Sequence, residues 1–149
     1  MQENKMMIRE LSAADYPRLM EIWESAVRAT HGFLAEEDFL YYKERVPTYF
    51  PYVKLYGEEK DGRVEGFLGV SDDNIEMLFV DAERRGQGIG RRLLSYAVEE
   101  LGMRKVDVNE QNAQAVGFYE HMGFRTTARS ERDGGGKNYP ILHMQLSGE

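Results

Sequence analysis

The densest run of residues able to do chemistry is Arg84-Arg85-Gly86-Gln87-Gly88-Ile89-Gly90-Arg91-Arg92. Glycines let a backbone approach a ligand closely, and N–H groups converging at the start of a helix bind anions with help from the helix dipole. The run sits where that chemistry needs it. Before it comes an apolar stretch, Leu78-Phe79-Val80, and after it come Leu93, Leu94, Ala97, Val98 and Leu101, spaced as one face of a helix. A strand, a glycine loop and a helix in that order predict a site for a phosphate-bearing ligand. Two common nucleotide patterns fail on spacing. A dinucleotide fingerprint needs its third glycine where Arg91 stands, and a P-loop needs Lys-Ser/Thr where Arg91-Arg92 stand.

Other chemistries are narrowed by what the chain contains. It has no cysteine, which excludes a thiolate nucleophile, a disulfide framework and a Cys-ligated zinc site, and fits a reducing compartment. His31, His121 and His143 show no H-x-x-x-H spacing, so no metal is expected. No Ser–His constellation can be assembled from the sequence. A net charge of −7 argues against nucleic acid as a partner, because that binding rests on a basic face. The opening Met1-Gln2-Glu3-Asn4-Lys5 is polar, and no apolar run reaches the ~18–20 residues of a membrane span. The expectation is a soluble, cytoplasmic protein without membrane partners. With 149 residues and no linker or repeat, residues 1–149 are expected to form a single domain.

The elements that must position the loop follow from periodicity and punctuation. Met6 to Leu11 predicts a strand, and Ser12-Ala13-Ala14-Asp15 a capped start to a helix with Tyr16, Leu19, Met20, Trp23, Ala26 and Val27 on its apolar face. After Thr30-His31-Gly32, Glu36 to about Arg45 predicts a second helix that stops before Pro47. Tyr52 to Lys60 and Val64 to Val70 flank Asp61-Gly62, a hairpin signal. Asn74 to Asp81 is the strand that feeds the loop. Beyond the loop helix, stopped by Gly102, come a strand at Lys105 to Asn109, a helix at Ala113 to Met122, and strands at Phe124 to Arg132 and Tyr139 to Leu146 around a triple-glycine turn. The order is β-α-α-β-β-β-α-β-α-β-β, an α/β fold with a mixed sheet and helices on both faces.

Two motifs carry a family resemblance. Arg85, Gly88 and Gly90 match R-x-x-G-x-G, and Asn112, Ala115, Phe118, Tyr119, Gly123 and Phe124 match N-x-x-A-x-x-F-Y-x-x-x-G-F. In this order and separation they resemble the two signatures of the GNAT acetyltransferases, and the resemblance covers about Met7 to Leu146. It implies the GNAT fold with splayed central strands and acetyl-CoA as acyl donor. The pyrophosphate would lie on the loop Arg85, Gly86, Gln87, Gly88, Ile89, Gly90 and Arg91, with Arg85 or Arg91 adding charge. Leu78, Phe79 and Val80 would hold the pantetheine arm through their backbone, and Asn112 would bond the cofactor. Tyr119, by the same resemblance, would protonate the departing thiolate, its proton affinity being close to that of a thiol.

The acceptor amine must lose a proton before it attacks. Glu76 is the candidate, on the strand that would hold the thioester and, by alternation, on the face of Leu78 and Val80; Asp72, Asp73 or a water are alternatives. His31 is a candidate on the substrate side or a capping residue. Glu36, Glu37 and Asp38 are either a solvated face or carboxylates bordering the acceptor groove that the family places beside the first helices. The expected reaction is direct transfer to a primary amine in a ternary complex. The acceptor could be a small molecule or a peptide: a protein N-terminus, a lysine, an amino acid, a polyamine or a drug-like amine. An acyl group longer than acetyl, and a catalytically weak acyl-CoA-binding module, stay open. Homodimers are common in the family, and no interface can be picked out in the sequence.

Overall fold

In the computed structural model, which describes residues 6–147, the chain divides into two compact units, with the boundary in sequence between Met103 and Arg104. In the first unit four strands, β1 (Met6–Glu10), β2 (Lys54–Lys60), β3 (Arg63–Ser71) and β4 (Asn74–Val80), pair antiparallel in sequence order. Its helices are α1 (Tyr16–Thr30), α2 (Glu36–Tyr49) and α3 (Ile89–Glu99). The second unit holds β5 (Lys105–Asn109), α4 (Ala113–His121), β6 (Phe124–Ser130) and β7 (Ile141–Leu146), with β7 antiparallel to both other strands. The expected order of strands and α-helices is the one found, with short 3-10 turns added at Ala13–Asp15, Phe50–Tyr52 and Ala82–Arg84.

Strand β3 is the axis of the first unit, buried from Val64 to Val70. Its Phe67 packs with Leu19, Ile22, Trp23 and Val27 of α1 and with Phe39 and Phe50, while Gly66, its neighbour, faces α3. A Cβ at Gly66 would lie 2.7 Å from Ile89 Cγ2, so the absent side chain is what lets α3 approach the strand. Helices therefore cover both faces, and each fully buried Phe or Leu contributes about 1.5–3 kcal/mol. The α1 face differs from expectation by Ile22, which is fully buried; it lies between Leu19 and Trp23 on the same stripe.

Helix α2 runs through Pro47 to Tyr49 rather than ending before it. Pro47 removes one helical hydrogen bond, but Phe50, 1% exposed, is seated 4.9 Å from Tyr16 and 6.0 Å from Phe67 between ring centroids. Burying that ring outweighs one lost bond. The hairpin is as expected: Asp61 and Gly62 take φ of +53° and +85°, the two left-handed positions of a type I′ turn. The last two strands are shorter than expected, because Pro140 has no N–H to add to a ladder and β7 begins after it. No helix among the described residues is long and apolar enough to cross a membrane.

Candidate functional site

The glycine loop hangs between two anchored ends. At its start, Asp81 is 7% exposed and accepts bonds from Glu83 N–H at 3.0 Å, Ser25 Oγ at 3.2 Å and Arg18 Nη2 at 2.8 Å. Ser25 Oγ in turn accepts from Ala82 N–H at 3.0 Å. Burial alone would raise the Asp81 pKa; the bonds from Glu83, Arg18 and Ser25 outweigh it and hold the carboxyl below its ordinary range. Gly86 and Gly88 both adopt left-handed backbone, with φ of +83° and +84°, which glycine alone takes without strain. Gly88 is the N-cap of α3 and has no side chain to cap it, and the first turn carries no acidic residue. The first amides of α3 therefore keep the positive end of the helix open to an anion.

The four arginines of the loop do not act alike. Arg92 gives Nε and Nη2 to Glu58 at 2.9 and 2.6 Å, and Glu58 is 2% exposed. Arg84 Nε lies 3.4 Å from Glu65, which also pairs with Arg18 Nη2 at 3.1 Å. Arg84 and Arg92 are thus fastened to buried carboxylates, whereas Arg85 and Arg91 are exposed. A sequence signal for this existed. Glu58 and Glu65 lie inside strands otherwise built for burial, and a buried carboxylate needs a cation. Glu65 is the extra residue of a bulge, Val64 pairing with Glu59 and Gly66 with Glu58, which periodicity does not reveal.

On β4, Met77 and Phe79 face the core around Phe67, while Leu78 and Val80 are half-buried. A second bulge falls at Glu76: Val70 pairs with Ile75 and Gly69 with Met77. The simple alternation that would put Glu76 on the face of Leu78 and Val80 is therefore broken at that residue. Glu76 is exposed, and its Oε2 accepts from Ser71 Oγ and Asn74 Nδ2, each at 2.9 Å; Oε1 is left for a further donor. Ile89, of the loop itself, is 4% exposed, so it can meet a ligand only through its amide. His31 ends α1 as its C-cap, its ring tilted 5.1 Å from that of Phe33 and its Nδ1 2.7 Å from Thr30 Oγ1.

In the second unit Asn112 caps α4, its Oδ1 accepting from Ala115 N–H at 3.2 Å. Tyr119 is 6% exposed, with Phe118 and Phe124 at 5.2 and 5.7 Å between centroids. Burial pushes its phenol well above the ordinary tyrosine value. The near match to a thiol expected from reference values is therefore not what the folded chain presents: burial favours the phenol that keeps its proton.

The second unit also assembles the Ser–His pair that could not be found in the sequence. Ser130 Oγ lies 2.7 Å from His143 Nε2, and His143 Nδ1 lies 2.8 Å from Asp107 Oδ1. Asp107 and His143 are register partners on β5 and β7, and a bulge at Thr127 on β6 sets the approach of Ser130; sheet pairing brings together residues far apart in sequence. The order is that of nucleophile, base and orienting acid, but the Asp107 side chain is 52% exposed and that of His143 36%. A working triad of this kind keeps its orienting acid buried, and this one does not. Among the described residues no group of three or more His, Cys, Asp or Glu is placed to hold a metal.

Comparison with known proteins places these features. The family model for the acetyltransferase (GNAT) domain matches residues 29–147, across both units. Over 138 residues, 92% of this chain and 95% of the relative, the sequence is 38% identical to the peptidyl-lysine N-acetyltransferase YjaB of Salmonella typhimurium. The solution structure of apo-form YjaB from Escherichia coli is similar with a TM-score of 0.89 at 36% identity, covering 97% of this chain and 99% of that one. YncA of Salmonella typhimurium, solved with acetyl-CoA, shares the fold with a TM-score of 0.64 at 23% identity, over 95% of this chain and 93% of its own.

Proposed function

The chain belongs to the GNAT acetyltransferases and is an acetyl-CoA-dependent N-acetyltransferase, and from that premise we propose that its acceptor is the side-chain amine of a lysine in a peptide or protein. The observation that supports the donor side is the uncapped start of α3, with left-handed glycines before it and no acidic residue in its first turn. The lysine acceptor is supported by the name that YjaB carries, a relative matching nearly the whole chain.

Bound acetyl-CoA supplies a thioester carbonyl that the amine nitrogen attacks, with loss of the thiolate. In this reading the amides of Gln87 to Arg91 receive the pyrophosphate, and Arg85 and Arg91 add charge at the exposed rim. The backbone of Leu78, Phe79 and Val80 holds the pantetheine arm, one N–H polarising the carbonyl, and Asn112 adds a polar contact. Glu76 takes the ammonium proton, directly or through a water on Oε1. Tyr119, kept protonated by burial, donates to the sulfur as negative charge develops there. We take both units as one catalytic domain that transfers the acetyl group directly, without an acyl-enzyme.

The test begins with calorimetric titration of acetyl-CoA, CoA and NADH, where saturable heat from the two CoA species alone is expected. Mass spectrometry of a lysine peptide with a blocked N-terminus then asks for acetylation at lysine. CoA binding with no product on that peptide, but product on a free N-terminus or a small amine, would overturn the lysine assignment.

A further inference from the structure

The reaction above leaves His31, the C-cap of α1, without a task, and its hydrogen bonds fix its chemical form. Thr30 has a single hydroxyl proton, and Thr30 Oγ1 lies 2.8 Å from the Ala26 carbonyl, which can only accept. The proton in the 2.7 Å contact between Thr30 Oγ1 and His31 Nδ1 must therefore come from the ring. Burial holds the ring below the ordinary histidine value, so it is neutral at physiological pH. A neutral ring with its proton on Nδ1 has a bare lone pair on Nε2.

That lone pair is accessible. Among the described residues every fully buried side-chain nitrogen or oxygen has a hydrogen-bond partner, and Nε2 of this half-buried ring has none, so it reaches solvent. The ring is held from one side by Thr30 and from another by Phe33, which leaves Nε2 a fixed acceptor rather than a mobile one. Its place is also fixed. Ser25 ties α1 to Asp81 and Ala82, where β4 runs into the glycine loop, and His31 lies six residues further along α1, about 9 Å of helix axis.

We propose that His31, through the bare Nε2, accepts a hydrogen bond from the amine acceptor and so determines how tightly that substrate is bound. The assignment rests on the lysine reading above and adds a residue that recognises it. A carboxylate would attract any cation; a neutral imidazole lone pair instead demands an N–H aimed at it, which selects by geometry.

The test is steady-state kinetics on the lysine peptide and acetyl-CoA for His31→Phe, which keeps a flat ring beside Phe33 but has no acceptor, and His31→Gln, which restores one. The expected result is a KM for peptide raised about ten-fold in His31→Phe, the loss of one hydrogen bond, with partial recovery in His31→Gln and an unchanged KM for acetyl-CoA. Wild-type turnover with an unchanged peptide KM in His31→Phe overturns the proposal alone, as does a parallel rise in both KM values, which marks a structural role. No wild-type turnover on the peptide overturns the lysine reading and this proposal with it. Long-range proton–nitrogen correlation spectra of the wild-type protein give an independent check that needs no variant: a proton on Nδ1 and none on Nε2 is expected, and the opposite tautomer is refuting.

Discussion

Replacing Gly88 with alanine perturbs the glycine loop in two separable ways, and Gly86 supplies the control. Both glycines are left-handed, at φ of +84° and +83°, so alanine at either costs about 1–2 kcal/mol in backbone strain. At Gly86 a Cβ meets nothing within 4 Å, whereas at Gly88 it lands 2.8 Å from Arg92 Nη1. The tip of an arginine usually moves aside at little cost. Here the same rigid guanidinium holds Glu58 through Nε and Nη2 at 2.9 and 2.6 Å, so displacing Nη1 disturbs both bonds. Removing the partner of a buried carboxylate costs about 3–5 kcal/mol. Arg92 is displaced rather than removed, and its side chain is 39% exposed, so an added cost of about 1–2 kcal/mol is expected. Gly88→Ala should then lose about 2–4 kcal/mol and Gly86→Ala about 1–2 kcal/mol. Urea unfolding measures both, and titration with CoA shows whether affinity falls in the same order. Equal losses at the two positions, within about 0.5 kcal/mol, would refute the idea that Arg92 is braced beneath the loop. In an Arg92→Met background the extra cost at Gly88 should disappear, since a flexible thioether can yield.

Three further outcomes are expected. Tyr119→Phe should lower kcat about 100-fold and leave the KM for acetyl-CoA little changed; unchanged turnover would remove Tyr119 from the reaction. The depressed Asp81 carboxyl contributes stability that is complete above the unfolded value of about 3.9 and is lost as pH falls through its lower folded value; Asp81→Asn should therefore flatten the acid limb of urea stability, and an unaltered limb would refute the assignment. Ser130→Ala should turn over as the wild type does, with no acetylated enzyme in intact-mass spectra; acetyl on Ser130 would overturn direct transfer.

The parts of this protein legible in the sequence are those set by local rules. The hairpin at Asp61-Gly62, the glycine loop before α3 and the order of elements all follow from periodicity and turn chemistry within a few residues. What escaped the reading is set by pairing across the sheet. Bulges at Glu65, Glu76 and Thr127 each interrupt the alternation on which face assignments rest. The bulge at Glu65 accompanies its contact with Arg18, the one at Glu76 breaks its expected alignment with Leu78, and the one at Thr127 precedes the contact of Ser130 with His143. Nothing in the chemistry of a single strand announces these. The second helix passes through Pro47 for a related reason, since the residue beyond it, Phe50, is rewarded by tertiary burial.

Under the proposed function, the buried ion pairs supply the order that a glycine-rich loop needs to receive the donor. Left-handed glycines are favourable for ligand approach but leave the free chain many alternatives, and ordering them at the moment of binding would subtract from affinity. Buried carboxylate–guanidinium pairs add little net stability over well-packed apolar residues, yet they have defined bond directions that apolar contacts lack. Asp81 with Arg18 fixes the entry of the loop, and Glu58 with Arg92 fixes its exit into α3. The ordering cost is thereby met during folding, and under the proposed function the amides between the two pairs would already be in place for the donor's pyrophosphate. This account makes Glu58→Gln instructive: the side chain stays nearly isosteric, so a loss of CoA affinity larger than the loss of turnover at saturating donor would locate the role of the pair in preorganisation. An affinity equal to the wild type would show that the glycine loop holds its shape without it.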